Sequence, residues 1–293
     1  MRCACIDIGS NTTRLLVAEA GASGLREIDA VRTFLRLAPG ADGRLAPETI
    51  VQLARTVAEH VARAQGHGAD EVHAVATAAI RGLADAPALC AQLSAVAGVV
   101  VRVLSGEEEA RLAFAGATAT LRAPPTGSVG VVDVGGGSSE LVVGTIAGGV
   151  TWSISLAVGS GTLRDRVLDD DPPSAEQLAH AREQVADAFA AVHPPGVEHV
   201  YAVGGSATSL RRLLGDELTA PALRAALETL CAAPSVASAA RLGLDPRRTR
   251  LLPGGLLLLS AAAHAFGGRP LRIARGGLRE GLILSRLADW TSA

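Results

Sequence analysis

The sequence predicts an α/β protein of two domains built on a common plan, with mixed sheets flanked by helices. Three observations predict it. The segment 6-IDIGSNTTRLLV-17 returns as 132-VDVGGGSSELVV-143, with Asp7 and Asp133 in matching places 126 residues apart. Strand-like apolar runs alternate with helical periodicities from one end to the other, and the strands lack polar alternation, as strands covered on both faces do. The chain has 293 residues and is 48 % hydrophobic, enough for two cores, but only 2 % aromatic, so those cores are Ala, Val and Leu.

The elements follow in order. Residues 2–8 and 13–20 are apolar and bracket a GSNT turn, the pattern of a β-hairpin. Residues 47–68 place Ile50, Leu53, Ala54, Val57 and Val61 at helical spacing, with Pro47 in the first turn and Gly66 near the end. A buried strand over 71–79 leads into a polar turn at Ile80, Arg81 and Gly82. A helix near 85–96, a strand over 99–105 and a helix over 107–119 come next. The stretch 122-RAPPTGS-128 breaks the pattern and sets a boundary between a domain of residues 1–124 and one of residues 125–280. The plan then restarts: a strand–turn–strand over 129–146, a strand over 150–157, helices over 161–168 and 174–192, and a strand over 198–204. A turn at 204-GGSATSL-210 precedes helical segments to about 266. A last helix begins at 281, and within 281–293 it is expected to pack back on the first domain.

Composition excludes several classes. All 27 positive side chains are arginine, so neither a lysine-dependent P-loop nor a Schiff-base enzyme is available. Any cation in the site is a fork-shaped guanidinium, suited to phosphate. A net charge of −2 gives no general attraction to nucleic acid or to an anionic membrane. Cys3, Cys5, Cys90 and Cys231 form no C-x-x-C pair and read as small core residues of a reducing cytoplasm. The seven histidines show no metal spacing and read as structural or surface residues. The apolar run 256–266 is too short to cross a bilayer, and a soluble cytoplasmic protein is expected.

The repeated turn carries the functional signal. A bend of Gly, Ser, Asn and Thr exposes backbone N–H groups with no bulky side chain over them, a concavity suited to anions. Gly135, Gly136 and Gly137 let the main chain close around a phosphate. One such bend is an ordinary hairpin turn. Two in register, each preceded by a strand acid, point to a pair of phosphate cradles. A third glycine bend, Gly204, Gly205 and Ser206, is a further candidate contact.

The segments IDIGSNTTRLLV, VLSGEEEARLAFAG, VVDVGGGSSELVV, YAVGGSATSL and GGLREGLIL, in that order, resemble the exopolyphosphatase / guanosine pentaphosphate phosphatase (Ppx/GppA) family. The resemblance implies two actin-like (ribonuclease H-like) domains of the superfamily that includes sugar kinases and Hsp70-like ATPases, with a cleft between them. It implies hydrolysis of a terminal phosphoanhydride. The family's catalytic glutamate precedes Ala-Arg, which makes it Glu109, with Glu108 as the fallback. TAAIRG matches the family segment whose arginine meets substrate phosphate, which makes that residue Arg81. Ser10, Asn11, Arg14, the turn Gly135–Ser138 (including Ser138) and Gly204, Gly205 and Ser206 are expected on substrate. Asp133 and Glu140, with Asp7 assisting, are expected to hold Mg²⁺ or another divalent cation. Arg279 stays open between phosphate contact and helix packing.

The leading expectation is an exopolyphosphatase releasing orthophosphate from polyphosphate. Short chains are expected to be preferred, because longer family members carry an additional C-terminal helical region. Removal of the γ-phosphate of pppGpp is the alternative, weakly disfavoured by only seven aromatic residues to recognise a base. A small-molecule kinase and a non-catalytic alarmone or polyphosphate sensor are further alternatives. No nucleic-acid or membrane partner is expected, and a homodimer is compatible with the sequence.

Overall fold

The computed structural model describes residues 1–21, 24–121 and 123–291. Arg122 of the expected boundary stretch, and residues 292–293 of the expected last helix, lie outside the described residues. The chain divides into two compact units, Met1–Ala119 with Leu278–Ala293, and Thr120–Gly277.

The first unit opens with strands β1 (Arg2–Ile8), β2 (Thr12–Gly21) and β3 (Gly24–Phe34). Helix α1 (Pro47–Gly66), strand β4 (Glu71–Ala76), helices α2 (Ala78–Arg81) and α3 (Ala86–Ala97), strand β5 (Val101–Val103) and helix α4 (Gly106–Ala119) follow. The sheet order is β3-β2-β1-β4-β5, antiparallel from β3 to β1 and parallel from β1 to β5. Cys3, Ala4, Cys5 and Ile6 are all fully buried, so the central strand faces core on both sides and shows no polar alternation. On one face, Leu53 and Val57 of α1 and Leu93 of α3 meet Ile6, Ile8 and Leu15. The strand expected over 71–79 stops at Ala76, and Ala78–Arg81 turn into a short helix carrying Arg81. β3, absent from the sequence reading, is an edge strand. It sets Arg26, Glu27 and Arg32 along an accessible rim, where charge discourages pairing with other chains, while Asp29 pairs with Arg63 of α1.

The second unit runs β6 (Ser128–Val134), β7 (Ser139–Thr145), β8 (Gly149–Leu156), α5 (Ser160–Arg166), α6 (Ala175–Phe189), β9 (His199–Val203) and α7 (Gly204–Leu214). It continues with β10 (Glu217–Leu218), α8 (Ala220–Cys231), α9 (Ser235–Leu242), α10 (Pro246–Thr249), α11 (Leu252–Ala265) and β11 (Leu271–Ile273). Its sheet order is β10-β11-β9-β6-β7-β8. With β10 set aside, β8-β7-β6-β9-β11 repeats β3-β2-β1-β4-β5 strand for strand. The apolar run after residue 255 is α11, whose Leu256, Leu258 and Leu259 are fully buried in this unit's core. No helix among the described residues is long and apolar enough to cross a membrane.

Helix α12 (Leu278–Thr291) belongs to the first unit. Leu282 and Ile283 cover the second face of that sheet, against Cys3, Cys5, Leu16 and Leu104. Gly281 allows this closeness, because a Cβ there would fall 2.0 Å from the Leu112 carbonyl oxygen of α4. The four cysteines are free.

Candidate functional site

In the first unit the bend after β1 is closed by the Gly9 amide donating to the Thr12 carbonyl at 3.1 Å. Ser10 supplies its carbonyl to the Leu37 amide at 2.7 Å, which pins the bend from outside. The amides of Ser10 and Asn11 have no protein acceptor among the described residues. The Asn11 side-chain Nδ2 is buried without a partner there too. A buried unsatisfied donor costs about 1–3 kcal/mol, so this donor calls for an acceptor, which a water or a ligand can supply.

Asp7 and Arg14 stand directly opposite each other on β1 and β2, so their side chains share one face. Arg279 reaches the same neighbourhood and donates to the Leu15 carbonyl at 3.3 Å. Burial pushes the Asp7 carboxyl above the ordinary aspartate range. Arg14 and Arg279 pull it back, and Glu280 adds to the rise.

The three glutamates at the start of α4 have three different fates. Glu107 is exposed and faces Arg111 at 3.9 Å, one turn on. Glu108 closes a capping box. Its amide donates to Ser105 Oγ at 3.1 Å, and its Oε2 accepts from the Ser105 amide at 2.8 Å. Its other oxygen pairs with Arg102, and these contacts hold its carboxyl below the usual range, the Ser105 amide first and Arg102 next. Glu109, about 100° further around the helix, points inward and is 6 % exposed. Arg81 pairs with it and also donates to the Leu104 carbonyl at 2.6 Å. The bend after β1, the helix after β4 and the start of α4 after β5 all lie at the carboxyl ends of parallel strands, where open α/β sheets bind ligands.

The second unit repeats the arrangement with a tighter bend. The Gly135 amide donates to the Ser138 carbonyl at 3.0 Å, the counterpart of Gly9 and Thr12. The start of α5 holds the bend from behind. The Ser160 amide donates to the Gly135 carbonyl at 3.0 Å, and the Gly161 and Thr162 amides donate to the Gly136 carbonyl at 2.9 and 3.0 Å. A Cβ on Gly159 would fall 2.5 Å from that carbonyl. With the carbonyls tied down, the amides of Gly136 and Gly137 have no protein acceptor among the described residues. Asp133 and Glu140 stand opposite each other across β6 and β7, and Glu140, 3 % exposed, accepts from Ser155 Oγ at 2.8 Å.

The segment expected as a turn at 204–210 is instead the first part of α7. Gly204 has φ +84°, and a Cβ there would meet Asp133 Oδ1 at 2.4 Å, so only glycine fits. Ser206 is 1 % exposed, with its hydroxyl packed under Gly255 and away from any acceptor among the described residues.

Comparison with known proteins gives these turns a context. The model of the Ppx/GppA phosphatase family matches residues 16–289. The chain belongs to the Ppx/GppA phosphatase family. Exopolyphosphatase 2 of Mycobacterium tuberculosis is 35 % identical over 201 residues, which cover 64 % of this chain and 61 % of that protein. The chain thus spans less than two thirds of that relative. Exopolyphosphatase 1 of Mycobacterium bovis is 30 % identical, the match covering 100 % of this chain and 91 % of the relative. The crystal structure of the Aquifex aeolicus Ppx/GppA family member superposes with a TM-score of 0.83 at 28 % identity, over 100 % of this chain and 99 % of that one. An exopolyphosphatase from Cytophaga hutchinsonii shares the fold, with a TM-score of 0.88 at 19 % identity, over 99 % of this chain and 98 % of that one. The two repeated units are therefore actin-like, ribonuclease H-like domains.

Within this Ppx/GppA chain, the structure pairs Asp7 with Arg14, Arg81 with Glu109, and Asp133 with Glu140. Sequence reasoning missed the α5 amino end that braces the glycine bend, because Ser160 and Gly161 follow a strand with no phosphate-loop signature. It also left Glu108 and Glu109 unresolved, although Ser105-x-x-Glu108 is a capping-box signature that could have assigned Glu108.

Proposed function

We propose that the protein is an exopolyphosphatase that hydrolyses the terminal phosphoanhydride of polyphosphate and releases orthophosphate. The observation that carries this reading is the pair of braced bends, whose outward amides at Ser10, Asn11, Gly136 and Gly137 lack protein acceptors among the described residues. Such amides take phosphate oxygens, and the buried Asn11 Nδ2 adds a donor in the first unit. Arg14 and Arg81 supply permanent positive charge beside the first bend and beside Glu109. The named relatives, exopolyphosphatases 1 and 2, support the substrate class.

Glu109 is assigned as the base. Its carboxylate orients a water and takes its proton as the water oxygen bonds to the terminal phosphorus. The bridging P–O bond breaks, the shortened chain leaves with that oxygen, and the new bond is found in orthophosphate. Arg81 holds Glu109 in place and meets the charge that builds on the phosphoryl oxygens. Glu108 does not suit this role, because both its oxygens are engaged in the cap and with Arg102.

The residues present also fit a divalent cation. Asp133 and Glu140 set two hard oxygen donors face to face, the donor type Mg²⁺ takes. The ion is assigned to Asp133 and Glu140, which face each other on adjacent strands of one sheet. When bound, the cation would neutralise phosphate charge and polarise the phosphoryl oxygens. Phosphate release from short and long polyphosphate and from pppGpp, measured with Mg²⁺ and with chelator, tests the reading. Release from polyphosphate that stops with chelator is expected. A strong preference for pppGpp would replace the substrate, and no release from any of them would overturn the enzyme.

A further inference from the structure

Far from the glycine bends, the first unit brings together three side chains that the proposed reaction does not use. Cys3 on β1 is paired in register with Glu71 on β4, and His73 lies two residues further along β4, on the same face. The sulfur, a Glu71 oxygen and a His73 nitrogen all lie within 4.8 Å of one another. His73 Nε2 and Glu71 Oε2 are 2.8 Å apart, so these two already converge. The cluster lies at the amino ends of β1 and β4, the opposite ends of the strands from the bend at Gly9.

We propose that Cys3, Glu71 and His73 form a binding site for a borderline-soft divalent transition ion such as Zn²⁺, which clips β1 to β4. Tetrahedral coordination with bonds of about 2.0–2.3 Å sets ligand atoms roughly 3.5 Å apart, so the Cys3 sulfur and the Glu71–His73 pair must approach each other by about 1 Å. Partly exposed Glu71 and His73 can rotate to do so, and they leave a side open for the ion to approach. The fourth position falls to water.

The chemistry of the set selects the ion. Thiolate and imidazole favour Zn²⁺ and its neighbours and disfavour Mg²⁺. On binding, the Cys3 thiol gives its proton to solvent and its sulfur bonds to the metal, so one proton leaves per ion. Thiolate and carboxylate together cancel the ion's charge, which suits a fully buried sulfur. Without the ion the carboxylate opposes ionisation of the thiol. Burial first, and then the Glu71 carboxylate, push the Cys3 thiol up to about 11, with Asp70 adding to the rise. The Ala4 amide and Arg286 on α12 act the other way, and Leu282 and Ile283 of the same helix pack against the sulfur's side of the sheet.

Cobalt(II) is the probe. The full chain, stripped with chelator and titrated with Co²⁺, is expected to take up one equivalent with a near-ultraviolet thiolate-to-cobalt charge-transfer band. Ions at Asp133 and Glu140 give no such band, so the outcome is separable from the hydrolase reading. Cys3→Ser abolishes the band, Glu71→Gln and His73→Ala weaken binding ~10-fold or more, and Cys90→Ala leaves it intact. Zn²⁺ is expected to raise the melting temperature of the wild type by more than that of His73→Ala. No band in the wild type, or a band that survives in Cys3→Ser, overturns the site. Should Cys3→Ser fail to fold, an unchanged band in both Glu71→Gln and His73→Ala overturns it equally.

Discussion

Replacing Glu109 by Gln and Glu108 by Ala separates chemistry from folding at adjacent positions. The amide in Glu109→Gln keeps the shape and one carbonyl oxygen, so Arg81 retains an acceptor there besides the Leu104 carbonyl. What is lost is the difference between a charged and a neutral hydrogen bond, about 1 kcal/mol of stability. The base is lost altogether. Positioned bases contribute about 10²–10⁴ in rate, or roughly 3–5 kcal/mol of barrier. Glu108→Ala instead removes half of a capping box and the Arg102 pair, about 1 kcal/mol of stability, with turnover expected within about twofold of wild type. Steady-state phosphate release, together with urea unfolding of each variant, reads both effects. A folded Glu109→Gln protein that keeps more than about a tenth of wild-type kcat, well short of that range, refutes the assignment. So does a Glu108→Ala protein that loses turnover while remaining folded.

Other perturbations should act at single links of the same account. Asn11→Asp puts a negative charge where a buried donor awaits an acceptor, and steady-state phosphate release is expected to show KM for polyphosphate raised by about tenfold or more. Gly204→Ala forces a Cβ to 2.4 Å from Asp133 Oδ1 at a left-handed backbone, and urea unfolding should show a loss of about 2–5 kcal/mol. Asp7→Asn is expected to raise the melting temperature at neutral pH while lowering activity. The raised Asp7 carboxyl favours the protonated folded state, so its ionisation costs stability as pH rises through the shifted range. The gain in Asp7→Asn should therefore vanish at acid pH and open as pH rises. A gain independent of pH contradicts the burial of that charge.

Much of the fold was legible because the strongest signals were local. The helix over 47–66 declares itself through Pro47 at its start and a stripe of Leu53, Val57 and Val61. The duplicated hairpins are legible because the same acid, small-residue bend and aliphatic run recur. β3 was not legible, since an edge strand carrying Arg26, Glu27, Asp29 and Arg32 looks like a polar loop. β11 has three residues, too few to establish a period. The segment after β9 read as a turn because two glycines suggest one, yet Gly204 is there to clear Asp133 while α7 begins. The candidate site was legible as motifs but not as partnerships. Three consecutive glutamates look alike in sequence, and only the rotation along α4 sends Glu108 to Ser105 and Glu109 to Arg81. The Cys3, Glu71 and His73 cluster was invisible for the same reason. Cys3 and Glu71 are 68 residues apart and meet only through the parallel register of β1 and β4.

The central claim is that the braced bends hold phosphate through their backbone amides. Two-dimensional amide NMR of the Glu109→Gln protein with Mg²⁺, titrated with tripolyphosphate, reads those groups directly. The account predicts that the Ser10, Asn11, Gly136 and Gly137 resonances move furthest and saturate together. Saturable binding that leaves all four in place contradicts it.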